Sequence, residues 1–331
     1  MSKDKVKSKE EQRREKQLNR SLSSAAKAVQ SDLNILAFQR EDNILKNGEG
    51  DYVAVFSIKC IDRSFINFNS LTSLLCANLA QRFRISSFYQ KVNGNLKSLF
   101  YLSVFFHEDA YYKVHDTMEK LKKEFFPMLT KYNFQIDQMT LDDILTFWNM
   151  NMNSQMVSMD GESVLTSRSY QTSFERPKFK KKERIIFEGG NNFCAALKLI
   201  TVAQDSKNFP FTCFDSFNKI FFAADTWKMT QEDIKTYDRI LRSSFYSYKD
   251  QTDLEMVNFS VSLVLMDQDY DSLLNNLNTL YKAAEEKGYI LVPCFEEEEA
   301  CFWGIGSFGI MDYFNLQTAA LGQITHFYEE S

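Results

Sequence analysis

The nonapeptide CFWGIGSFG, Cys301 to Gly309, sets Gly304, Gly306 and Gly309 at the G-x-G-x-x-G spacing of a dinucleotide-binding loop. Glycines so spaced bring backbone N–H groups up to a pyrophosphate, provided the loop joins a buried strand to a helix whose N-terminus meets the phosphates. Here the run follows Glu296, Glu297, Glu298 and Glu299 and falls near the end of the sequence. Each carboxylate within ~8 Å of a diphosphate would cost on the order of 0.5 kcal/mol even in a water-like dielectric. The spacing is therefore read as a turn leaving a domain. No G-x-x-x-x-G-K-[ST] loop occurs, and His107, His115 and His326 show no metal-ligand spacing. The six cysteines contain no C-x-x-C pair, so buried reduced thiols in a cytosolic compartment are expected. No catalytic, cofactor-binding or metal-ligating residue is assigned. The expectation is a non-enzymatic chain without a cofactor.

The elements around these residues have to come from an aromatic-rich chain of 331 residues, 44% hydrophobic, with 30 Phe and 15 Tyr. Such a length supports two domains, each with its own core. Only 4 Pro and 11 Gly favour long regular elements. A net charge of −5 argues against polyanion binding by the molecule as a whole. No apolar run approaches the ~20 residues that cross a bilayer, so a cytoplasmic protein, at most peripheral to a membrane, is expected.

Residues 1–34 read as a polar, basic leader with a helix, because Leu18, Leu22, Ala25, Val29 and Leu33 share one helical face. Residues 35–150 form the first α/β unit. DYVAVFSIKC alternates as a strand, and NSLTSLLCANLAQRF has helical spacing. RISSFYQKV and LKSLFYLSVFF flank the hairpin dipeptide Asn93-Gly94. DAYYKVHDTMEKLKKEFFPMLTKY reads as a long helix that Pro127 kinks or ends, and NFQIDQM closes the unit.

Residues 185–296 repeat the pattern: NFCAALKLITV as strand, FTCFDSFNKIFF as helix, and MTQEDIKTYDRILRSSFYSY as an extra helix capped by Thr230. VNFSVSLVLM as strand, a helix ended by Gly288, and YILVPCF as the last strand follow. The fold class is α/β of the α+β kind: two ferredoxin-like β-α-β-β-α-β units, a duplication, with an N-terminal helix. TLDDILTFWNMNMNSQ is expected to be a short helix. Residues 151–184 read as a linker carrying the basic run Lys178, Lys180, Lys181, Lys182 and Arg184. Residues 297–331 supply an acidic segment, the Gly-rich turn and a helix.

IIFEGGNNFCAALKLITVAQDSKNFPFTCFDSF, the segment from Phe259 through Gly309, and LQTAALGQITHFY together resemble the amino-terminal domain of the TraC, TrbE and CagE class of conjugative type IV secretion ATPases. In that family a strand-helix-strand unit leads to an acidic stretch and a Phe-Trp dipeptide near a Pro-Gly turn. Glu296 to Glu299, Phe302 and Trp303 stand at those places, with glycines where the family has Pro. The likeness covers roughly residues 35 to 328 and includes no nucleotide-binding residue of the family.

The resemblance implies a non-catalytic scaffold at the cytoplasmic face of a bacterial conjugal-transfer apparatus. Its implied partners are the secretion motor, small inner-membrane subunits and further copies of itself. Candidate contact residues are Leu18, Leu22, Lys178, Lys180, Lys181, Lys182, Phe302 and Trp303. The alternative is a nucleic-acid-binding module using the basic leader and linker.

Overall fold

The computed structural model describes residues 34–39, 42–61, 68–92, 94–108, 111–140, 143–144, 151–159, 162–171, 180–181, 186–189, 192–200, 216–229, 232, 235, 256–294, 297–308, 317–324 and 328. It is a mixed α/β architecture, rich in strand, built on a thirteen-stranded antiparallel sheet with few helices.

The sheet opens with a hairpin, β1 (Ile35–Gln39) and β2 (Ile44–Asn47), ahead of the expected first strand β3 (Tyr52–Cys60). Helix α1 (Phe68–Asn78) leads to β4 (Arg82–Val92) and β5 (Asn95–Phe106). Val92 pairs with Asn95 across the turn, and Gly94 takes φ +79, the conformation that the Asn-Gly signal anticipates.

The next helix runs as α2 (Tyr111–Lys120), a wide π turn (Leu121–Phe125) and α3 (Phe126–Leu129). Pro127 therefore neither ends nor breaks the rod. It sits in the first turn of α3, where a missing N–H costs nothing, and the widened turn before it absorbs the mismatch. Asn133, at φ +73, turns the chain into β6 (Phe134–Gln138), which pairs with β3.

In the second half, β9 (Lys180–Lys181) and β10 (Phe187–Gly189) precede β11 (Asn192–Ile200), followed by β12 (Lys219–Trp227) and β13 (Met256–Asp267). Helix α4 (Tyr270–Glu286) starts on Asp269, whose carboxylate accepts the Ser272 N–H at 2.8 Å. It ends where Gly288 takes φ +77 and Tyr289 donates back to the Ala284 carbonyl. Strand β14 (Ile290–Pro293) pairs with β11. The path reads β1-β2-β3-β5-β4-β12-β13-β11-β10-β9, so β4 and β12 join the two halves edge to edge.

Three stretches depart from the sequence reading. Lys219–Phe222, expected to be helical, open β12, where Phe221 and Phe222 are both buried in cores on opposite faces of the sheet. Two-sided burial of adjacent aromatics suits a central strand, and tertiary packing overrides the helical spacing. Thr140 and Asp143 form a reciprocal cap, but helix is described only at 143–144, and Asn151–Met159 is strand β7. Strand β7 pairs with β8 (Glu162–Gln171) within the expected linker, flanking an Asp160-Gly161 hairpin signal. The leader and most of the extra helix after Thr230 lie outside the described residues.

Both faces of the sheet are covered. On one, the even-numbered residues of β3 and β5 and the odd-numbered residues of β11 and β13 pack against α1, α2 and α4. On the other, Val53, Val55, Phe88, Tyr101, Phe105, Ala196, Phe221, Ala223 and Trp227 form a second core beneath the C-terminal segment. This explains why β12 and β13 are buried almost without interruption.

Candidate functional site

The glycine run belongs to the second core. Helix α5 (Glu298–Gly304) carries Cys301 and Phe302 into it, both buried. Glu297, just before the helix, reaches Lys198 of β11 at 2.8 Å. The chain then turns through Ile305 to Phe308, all buried. Gly306 sits at φ +71, and a Cβ added there would lie 2.6 Å from the Phe88 ring. The middle glycine of a dinucleotide loop keeps its face clear for a pyrophosphate; this one keeps it clear for an aromatic side chain.

The run also follows a helix, where a dinucleotide loop follows a strand. Phe308, at φ +56, meets the Tyr101 ring at a tilt of 55° with centroids 4.9 Å apart, and its carbonyl accepts the Ser103 hydroxyl at 2.5 Å. The turn is pinned to the sheet by contacts that only the tertiary fold supplies.

A second constellation crosses the joint between the halves on the same face. Arg84 of β4 is 1% exposed, and Asp225 of β12 is 5% exposed. Arg84 Nε donates to Asp225 Oδ1 at 2.9 Å and its terminal nitrogen approaches Oδ2 at 2.7 Å, a two-pronged pair. Ser86 donates a third bond to Asp225, at 2.5 Å. Arg84 and Arg82 both stack on Trp227, at 5.2 and 4.6 Å from the ring centre. Neighbouring Tyr101 is fully enclosed, and burial pushes its pKa up to about 12.

The strand register makes this cluster: Ser86 faces Asp225 and Arg84 faces Trp227 across the joint. A charged residue at an inward strand position was the available signal in RFRISSF and FFAADTW, and the sequence reading passed over it.

Tyr328 binds the opposite face. It stacks on Phe68 of α1 with centroids 3.9 Å apart and shares a 2.6 Å hydrogen bond with Thr226 of β12. Burial raises its pKa well above the ordinary tyrosine value.

Of the candidate contact residues singled out from sequence, Phe302 is buried beside Cys301 and Ile305. Trp303 lies in α5, and its side chain is outside the described residues, as are Leu18, Leu22, Lys178 and Lys182. Lys180 and Lys181 form β9, the last strand of the path, paired with Glu188 and Phe187. The described histidines sit apart as carboxylate pairs, His107 with Asp51 and His115 with Asp42. Among the described residues no cluster of His, Cys, Asp or Glu is arranged to hold a metal ion, the five described cysteines form no disulfide with one another, and no helix is long and apolar enough to cross a membrane.

No protein-family model matches the chain, and no curated protein matches it.

Proposed function

We propose that the chain is a non-catalytic docking scaffold, a TraC-like domain serving a bacterial conjugative type IV secretion apparatus at the cytoplasmic face of the membrane. The observation that carries this reading is the packing of Gly306 beneath Phe88. The one glycine cluster with a nucleotide-like spacing is used to seat a turn on the sheet. The Arg84–Asp225 pair is likewise consumed internally, joining β4 to β12. Internal use of these two features, rather than their presentation to a ligand, suits an assembly role.

The finer reading of the fold is a duplicated ferredoxin-like unit. Four correspondences support it. The strand orders β6-β3-β5-β4 and β14-β11-β13-β12 are the same arrangement. A hairpin precedes each: β1–β2 pairs onto β3 as β9–β10 pairs onto β11. After the last strand of each, a residue donates its N–H to the central strand: Met139 to the Val55 carbonyl at 2.8 Å, and Cys294 to that of Ala196 at 3.0 Å. Helical residues then follow each on the second face, at Ile144 and in α5.

Co-purification from conjugative cells tests the reading. A tagged chain is expected to retain a small inner-membrane subunit of the channel and the secretion motor, and to show no micromolar ATP binding by isothermal titration. Micromolar ATP binding overturns the non-catalytic assignment. Retention of DNA that falls steeply with added salt, without channel subunits, points instead to the nucleic-acid reading.

A further inference from the structure

We propose that the turn between β1 and β2 is held by a pH-responsive clasp. His115 and Tyr111 of α2 grip the Asp42 side chain, so that loss of the His115 proton loosens the N-terminal hairpin. The proposal goes beyond the docking role and stands whether or not that role is correct.

Three elements converge on this turn. Tyr111 donates its hydroxyl hydrogen to Asp42 Oδ2, and His115 Nδ1 lies 2.8 Å from the same oxygen. From β6, Gln138 Nε2 donates to the main-chain carbonyls of Asp42 and Asn43, at 2.6 and 3.1 Å. Asn43 itself is at φ +51, a conformation that Asn tolerates better than most residues but that still needs support. Hydrogen bonding to the rest of the sheet is sparse here, since β2 pairs with β3 over only Ile44 to Lys46. A short, lightly paired hairpin is the kind of segment that opens locally, ahead of global unfolding. Strands β1 and β2 stand at one end of the strand path, so the clasp governs how firmly that edge of the sheet is held.

The surrounding charges favour the closed state at neutral and mildly acidic pH. The Asp42 hydrogen bond, then its charge, raises the His115 pKa; Glu119 and Asp116 on the same helix add to the rise, and desolvation opposes it. Burial acts against ionised Asp42, yet hydrogen bonds from Tyr111 and His115 and the charges of His115 and Lys122 hold its pKa below the ordinary value. Glu119 is itself neutralised by Lys123 at 2.8 Å, which leaves Asp42 as the main partner of His115. His107 pairs with Asp51 and does not join the clasp.

Because the folded pKa of His115 is raised, its contribution is complete below the ordinary histidine value and is lost as pH climbs through the raised one. Because that of Asp42 is lowered, its contribution is complete above the ordinary 3.8 and is lost only as pH falls through the lowered one. The clasp is closed between those limits and loosens on the alkaline side.

Amide hydrogen exchange on the full chain, corrected for the intrinsic pH dependence, reads this directly. Protection at Ile44–Asn47 is expected to fall about two- to five-fold, relative to β5, as pH rises from about 5.5 to 8.5. In His115→Gln, which keeps a donor but carries no titrating charge, the fall is expected to vanish. Side-chain NMR should place the His115 pKa above the ordinary value in the wild type and return it there in Asp42→Asn. Parallel exchange profiles in wild type and His115→Gln, or an ordinary His115 pKa in the wild type, overturn the proposal.

Discussion

The two halves place a helix over the same face of the sheet by different means. Helix α4 carries its instructions locally: an Asp269 cap, four buried residues at helical spacing, and Gly288 as the stop. The α2–α3 rod has a π turn and Pro127 inside it, and no side chain caps the π turn or α3. Its course is held by buried contacts such as Phe126 against Phe56, ring centroids 4.7 Å apart. One helix is written mostly in sequence-local terms, the other mostly in terms of what it packs against.

The free ends of the strands differ as well. Where β3 meets β6, Lys59 and Gln135 both bond the Asp137 carboxylate. Where β11 meets β14, Ile200 stands opposite Ile290, 39% and 50% exposed. One edge region is guarded by charge, the other is apolar.

The sharpest way to break the comparison is at the joint. Asp225→Ala leaves Arg84 buried without its carboxylate and is expected to cost about 3 to 5 kcal/mol in urea-unfolding free energy, with both halves melting together. Replacing both partners, Arg84→Met with Asp225→Leu, should recover most of that loss. Two separate transitions in the wild type would mean that the halves are independent bodies that merely touch.

A smaller effect is expected within the second half. Gly306→Ala combines a left-handed backbone with a Cβ driven into Phe88, and should lower stability by roughly 1 to 3 kcal/mol. An unchanged melting temperature would show that the turn is loosely seated.

Removing the α4 cap with Asp269→Ala should cost about 1 kcal/mol, seen as lower exchange protection in the first turn of α4 while α2 is unaffected. Equal loss in both helices would contradict their different modes of specification.

The last effect is absent at neutral pH. The folded pKa of Tyr101, about 12, stands above its ordinary 10.0 because of burial, so its contribution is complete below pH 10.0 and is lost as pH rises from there toward about 12. Tyr101→Phe should flatten that part of the alkaline unfolding curve. An identical curve would place the alkaline loss elsewhere.

Legibility from sequence followed locality. The Asn93-Gly94 hairpin, the Gly288 stop of α4, and strands β3, β11 and β13 could be read because each signal lies within a few residues of the structure it specifies. The N-terminal hairpin β1–β2 was missed because four- and five-residue strands carry little periodicity, and β12 was misread at its start because Phe221-Phe222 fits either a helix face or a two-sided strand. At the candidate site, Glu296 to Glu299 argued in sequence for a turn, and Ile305 to Phe308 do turn, buried on the sheet; Phe302, read in sequence as a candidate contact, is buried in the second core. The Arg84–Asp225 pair was not legible, since the partners are 141 residues apart.

What the sequence by itself determined is the existence of β3, β11 and β13, the hairpin at Asn93-Gly94, the Gly288 end of α4, and the turn after Gly304. Each depends on backbone preference or short-range charge, which act over a few residues. Only the tertiary structure decided that β4 and β12 would meet, in a register that sets Ser86 against Asp225 and Arg84 against Trp227. A strand edge offers the same row of N–H and C=O groups to any partner. Selection among partners comes from buried side chains that must satisfy one another, and for Arg84 and Asp225 that satisfaction exists only once both strands are in place.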